Sequence, residues 1–169
     1  MFKPQVSLLD NTSDNKQMPK LVVDETCVVM FEMRNVLRSL PLFQVTLLWR
    51  FKDDETSDEV DNEVESHGEL VECSLIREVI LAAGHEYKVR FSVRPRRSNG
   101  VLSIVGLKYR IGLPAEEGSE VSTNLLGKQM FEIKGSRLNN TQANMRNVVY
   151  DVDNRLNFKV VEHTASLQV

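Results

Sequence analysis

The sequence predicts an all-β chain folded as an antiparallel sandwich of about seven to eight strands. Three observations point there. Phe43, Val45, Leu47, Trp49 and Phe51 fall on one side while Gln44, Thr46, Arg50 and Lys52 fall on the other, with Leu48 alone out of place. A period of two over that length makes a strand with one buried face, because successive side chains leave a pleated strand on opposite sides. Tyr87, Val89, Phe91 and Val93 alternate in the same way with Lys88, Arg90, Ser92 and Arg94. Finally, short apolar runs recur between turn residues, and no amphipathic helix of convincing length interrupts them. A small closed barrel is the architectural alternative.

The elements follow in order. Residues 5–9 read as a short strand and 10–19 as a polar loop, so 1–20 forms an N-terminal strand and loop. Residues 21–135 hold the sandwich, opening on a brief extended piece at 21–23. From Cys27, the side chains of Val29, Phe31 and Met33 face the core, with Glu32 and Arg34 opposite, and 35–41 leads into the Trp49 strand. Phe31, Met33, Val45, Leu47, Trp49, Tyr87, Val89 and Phe91 are the expected core. Between 53 and 65, eight acidic residues crowd together, among them Asp53, Asp54, Glu59 and Glu63. Like charges repel, and the spacing lacks the central glycine of a calcium-binding loop, so a mobile surface loop is expected. Strands follow at 71–75 and 79–81, then a turn at Gly84 and His85. Asn99 and Gly100 tolerate positive φ and signal a hairpin between the Tyr87 strand and a return strand at 101–111. Gly106, where the phase of that strand changes, is the mark of a bulge. A loop at 112–127 precedes a strand at 130–134, ended by Gly135. Residues 136–169 are an extended segment completing or flanking the sandwich, with Leu156, Phe158 and Val160 as its final alternation.

Composition narrows the function classes. At 169 residues with 41% hydrophobic and 27% charged content, the chain can bury a real core. Its net charge of −3 argues against nucleic acid as the main partner. No apolar stretch is long enough to span a bilayer, and none of the secretory kind follows Met1, so a cytosolic protein is expected. His67, His85 and His163 are far apart and have no zinc-ligand spacing. No phosphate loop or nucleophile elbow is present, so neither catalytic residues nor cofactors are assigned. The sequons at Asn11 and Asn139 matter only for a chain that enters the secretory lumen. One basic cluster stands out: Lys88, Arg90, Arg94, Arg96 and Arg97, extended by Lys108 and Arg110 on the expected hairpin partner. On paired strands these could share one outward face for an acidic partner or anionic lipid; an ordinary solvated sheet face is the competing account.

The order Cys27, Trp49, Cys73 suggests an immunoglobulin disulfide packed on a tryptophan. Against that, Val71 stands where a tyrosine corner would place Tyr, and at least three strands follow Cys73. Free thiols are therefore favoured over a disulfide. An extracellular immunoglobulin-like receptor domain with a Cys27–Cys73 disulfide remains the rival.

Several of these segments resemble a known family. Leu21, Val22, Val23, Asp24 and Glu25, then Val29, Phe31, Arg34, Asn35 and Leu37, then Leu47, Leu48, Trp49, Arg50 and Phe51 resemble the opening of a β-sandwich region in subunit 8 of the transport protein particle (TRAPP) complex. The likeness continues through Gly100, Leu102, Ile104, Gly106, Tyr109 and Ile111. It is sharpest in the run Phe-Glu-Ile-Lys-Gly-Ser-Arg-Leu-Asn-Asn-Thr at 131–141, followed by Val149, Tyr150, Asp153, Arg155 and Leu156. The resemblance implies an immunoglobulin-like antiparallel β-sandwich in a scaffold subunit of TRAPP III, an exchange factor for a Rab GTPase in ER-to-Golgi traffic and autophagy. Expected partners are other TRAPP subunits or membrane-trafficking proteins. The expected place is the cytoplasm at the Golgi, with peripheral membrane association through the complex. The resemblance implies that exchange chemistry lies in small core subunits of that complex and not in this region, so it transfers no catalytic residue.

Overall fold

A computed structural model describes residues 15–34, 40–63, 69–111, 125–139 and 141–163. The expected strand at 5–9 lies outside them. The strands are β1 (Lys20–Val22), β2 (Cys27–Arg34), β3 (Leu40–Asp53), β4 (Glu59–Asp61), β5 (Val71–Cys73), β6 (Ile76–Leu81), β7 (Glu86–Pro95), β8 (Gly100–Ile111), β9 (Leu125–Met130) and β10 (Asn157–Val161), with one short helix, α1 (Gln142–Arg146). Ten strands lie among the described residues, three of them (β1, β4 and β5) only three residues long.

Two sheets form the sandwich. The smaller has the order β2-β7-β5; the larger runs β1-β10-β8-β3-β4. In the larger sheet β6 and β4 share the far edge of β3, while β9 and β10 share the far edge of β8. All pairings are antiparallel except β1 with β10. Trp49, Leu47, Phe51 and Leu102 from the larger sheet meet Phe91, Val93 and Val89 from the smaller in one buried cluster. Val45, Leu47, Trp49, Val89 and Phe91 are buried as expected, while Phe31, Met33 and Tyr87 pack against the cluster half-buried.

The alternation of β3 is less regular than its sequence suggests. Gln44 adopts φ 51°, and Phe43 pairs with Arg110 while Thr46 pairs with Lys108, so two β3 residues oppose one on β8. This bulge reverses the phase. Leu42, opposite Ile111 and Val79, takes the core position, and Phe43 moves to the outer face opposite Arg110 and Glu78. Further along, Leu48 pairs with Gly106 and Trp49 with Ile104, leaving Val105 as the extra residue beside Gly106. A Cβ on Gly106 would lie 2.4 Å from the Gln129 carbonyl oxygen, so the glycine lets β9 close against the bulge.

Three expectations are corrected. Asn99, at φ 56°, does turn the chain, but β7 and β8 are not a hairpin: β7 pairs with β2 and β5, whereas β8 pairs with β3, β9 and β10. The connection carries the chain from one sheet to the other. The strand expected at 130–134 lies earlier, as β9. Phe131 then donates its N–H to the Val105 carbonyl at 2.8 Å and turns its ring onto Phe31.

The acidic segment, as far as residue 63, is structured. It is the turn from β3 into β4, and Asp53 is buried at its start, 7% exposed. The Asp53 carboxylate accepts from the N–H groups of Glu55 (2.8 Å) and Thr56 (3.1 Å) and meets Arg97 at 2.5 Å. Beyond β4, Asn62 fills the gap left on the β3 edge between β6 and β4. Its Nδ2 donates to the Leu47 carbonyl at 2.8 Å, and the Trp49 N–H donates to its Oδ1 at 3.1 Å. A side-chain amide thus stands in for a missing strand.

Two outcomes test this account. Removing the Asn62 amide leaves two main-chain groups of β3 unpaired, so Asn62→Ala should cost about 1–3 kcal/mol, read from urea unfolding midpoints. The two N–H groups, with help from Arg97, hold the Asp53 carboxyl below its ordinary value. Its stabilisation is therefore whole above roughly pH 4 and is lost as pH falls through the lower folded value. Asp53→Asn should lower the melting temperature at neutral pH, and its difference from the natural chain should shrink in acid. A constant difference down to the acid limb would remove Asp53 from that limb.

Candidate interaction surfaces

The seven basic residues singled out above do not form one face. Because β7 and β8 lie in different sheets, their outward side chains point away from each other. Lys88 and Arg90 leave the outer face of the smaller sheet, opposite Glu32 and Met30 of β2. On that face Val28 and Met30 are exposed, and the Glu86 carboxyl is held above its ordinary value by its hydrogen bond with Glu32 and by the Glu32 charge. Arg94, Arg96 and Arg97 are engaged within the fold. Arg94 Nε donates to the Asp24 carbonyl at 2.7 Å, and Arg96 holds Asp24 at 2.8 Å and Glu72 at 2.7 Å. Arg97 caps the Asp53 turn. These three brace the crossing between sheets. Lys108 and Arg110 stand on the outer face of the larger sheet, opposite Thr46 and Phe43.

A cleft of about 350 Å³ opens between the sheets, a feature that sequence reasoning did not reveal. Phe31 and Met33 form one wall; Leu42, Leu107 and Tyr109 form the other, with Phe131 and Gln129 on the β9 side. The Phe31 ring stacks on Phe131, with centroids 4.8 Å apart and planes 30° apart, and meets Phe91 edge-on at 6.1 Å. The lining is mostly apolar, suited to bulky side chains. No group of three or more His, Cys, Asp or Glu among the described residues could hold a metal ion.

The segment after β9 also has a defined role. Leu138 donates its N–H to the Val149 carbonyl at 2.9 Å, Arg137 bridges to Tyr150, and a Cβ on Gly135 would lie 2.6 Å from the Asp151 carbonyl oxygen. The Thr141 hydroxyl accepts from the Asn144 N–H at 3.1 Å and caps α1. Asp153 then clasps Arg155. Residues 135–138 therefore fold back on 149–151, mostly through main-chain bonds.

All of residues 1–169 match the family described as the TPPC8 first Ig-like domain. The chain belongs to that family. It is also 33% identical, over 189 aligned residues, to the human protein trafficking protein particle complex subunit 8. The match takes in 99% of this chain and 13% of that relative, so the chain spans about an eighth of the relative's length. Among solved structures, the class 5 fimbriae chaperone CfaA aligns at TM-score 0.34 and 13% identity, over 67% of this chain and 51% of its own. A chaperone–tip adhesin complex of CFA/I fimbriae aligns at 0.32 and 11%, over 64% and 49%. At those scores the likeness carries no argument about this chain.

In this fold the two thiols cannot meet. Cys27 of β2 and Cys73 of β5 both pair with Val93, from opposite sides of β7. They lie in one sheet with a strand between them, so their Cα atoms are two strand spacings apart, about 10 Å. A disulfide needs roughly 7 Å or less. The disulfide of the rival reading is thus excluded by this geometry, and both cysteines are free. Burial pushes the Cys73 thiol up to about 12, with smaller contributions from Cys27 and Glu72, and burial also raises Cys27. Both stay protonated and unreactive near neutral pH. Alkylation of the native chain should be slow, and denaturation without reductant should add two alkyl groups by mass. Two unmodified cysteines after denaturation would restore the disulfide.

Proposed function

We propose that this chain is a non-catalytic scaffold and protein-interaction module of a TRAPP complex. In this reading it supports assembly of the TRAPP III exchange factor for a Rab GTPase in ER-to-Golgi traffic and autophagy, in the cytoplasm at the Golgi. The observation that carries the reading is the alignment of nearly the whole chain with a stretch of human trafficking protein particle complex subunit 8. That stretch is a small part of a large subunit, so the contribution argued for is contact surface and not exchange chemistry. Exposed apolar side chains support such a role: Met145, Val148, Tyr150 and Val152 in the folded-back segment, and Val28 and Met30 on the smaller sheet. The partners in this reading are other TRAPP subunits or membrane-trafficking proteins. A net charge of −3 gives nucleic acid little purchase. No helix among the described residues is long and apolar enough to cross a membrane, so membrane association is assigned to the assembled complex.

Affinity capture with the tagged chain from cell lysate, scored for TRAPP core subunits against a tag-only control, tests the reading. Enrichment of those subunits is expected. Their absence, with the chain folded by circular dichroism, would overturn it.

A further inference from the structure

We propose that the free edge of β9 takes up an extended peptide segment that alternates acidic and large apolar residues. In the bound state its apolar side chains enter the cleft between the sheets, and its carboxylates lie over Lys108 and Arg110. The proposal deepens the scaffold reading and rests on it only for the source of the peptide.

β9 is an edge strand. Among the described residues it pairs with β8 alone, so its second row of N–H and C=O groups has no strand partner. Its alternation sends Leu126, Lys128 and Met130 outward and turns Gly127 and Gln129 toward the cleft side, opposite Tyr109 and Leu107. A strand added to this edge inherits the same period. One set of its side chains faces the apolar cleft, and the other continues the outer face of the larger sheet.

The charge on that outer face selects acids. Lys108 and Lys128 stand directly opposite on adjacent strands, an arrangement that costs stability unless an anion relieves it. Glu63 takes up the Lys128 charge, whereas Lys108 and Arg110 have no carboxylate partner among the described residues. Beside them Leu126 and Met130 are 65% and 43% exposed. A flat anionic membrane fits this face poorly. By their pairing with Lys52, Arg50 and Phe43, the carboxylates Glu59, Asp61 and Glu78 share the outer face and would be pressed against lipid phosphates. A strand on the β9 edge avoids them.

The test uses the full chain, a synthetic peptide alternating glutamate and leucine, its glutamine-for-glutamate counterpart, and phosphatidylcholine–phosphatidylserine vesicles. The proposal expects amide shift changes in β9 and the cleft walls, with slowed exchange of β9 amides on binding the acidic peptide. The glutamine peptide should bind roughly tenfold more weakly, and K108Q/R110Q should lose a similar factor while keeping its melting temperature. Equal binding of both peptides, shifts confined to other surfaces, vesicle binding in place of peptide binding, or no binding at all would each overturn it. Peptide binding without TRAPP capture keeps the surface and removes the scaffold reading; TRAPP capture without peptide binding does the reverse.

Discussion

The larger sheet depends on one pairing, the antiparallel ladder between β3 and β8. It joins ten residue pairs and brings Leu47, Trp49, Phe51, Leu102 and Ile104 onto one buried face. Every other strand of that sheet is attached to one of these two or, like β1, to a strand that is. The ladder contains two irregularities of opposite kind, an extra residue on β3 at Gln44 and an extra residue on β8 at Val105. Each shifts which side chains face inward, because a slip of one residue exchanges the two faces of a strand. Between them, the bulges let two long strands keep apolar residues inside along nearly their whole length.

Around that ladder, side chains do jobs that main chain performs elsewhere. Asn62 occupies the stretch of β3 edge that neither β6 nor β4 reaches, and Asp53 gathers two N–H groups of the following turn. Leu48, the apolar residue on the outward side, is 2% exposed and lines a small recess together with Asn62, Val105, Lys128 and Met130. The ion pair of Lys128 with Glu63 links β9 to the chain end of the acidic turn across that recess. Among the described residues, the outer face of the larger sheet is thus partly built over, and the part they leave uncovered lies toward Arg110 and Leu126.

Much of this was legible in the residues. The alternation of β7, the strand positions of β2, β3 and β8, and the bulge at Gly106 all follow from period and from a glycine at a change of phase. The face of Phe43 was not legible, since nothing in the residue types marks Gln44 as the one with positive φ. Nor was the sheet assignment of β8. A turn at Asn99 is readable, but whether the chain turns back beside β7 or crosses to the other sheet depends on partners far away in sequence. That error merged seven basic residues into one face, whereas three of them brace the fold and the others divide between two opposite surfaces. The acidic segment misled for a similar reason, because charge density suggests solvation and conceals the few side chains, Asp53 and Asn62, that make specific bonds.

The parallel pairing of β1 with β10 has a mechanical meaning. Three register pairs, together with the bonds from Val23 N–H to the Val161 carbonyl and from Lys159 N–H to the Pro19 carbonyl, zip β1 and β10 side by side in the same direction. Tension entering before Lys20 and leaving after Val161 pulls these strands along their length in opposite senses. The bonds are then loaded together in shear instead of peeling open one by one. A domain strung between two anchored assemblies would resist extension at just this seam, and it would yield there as a unit.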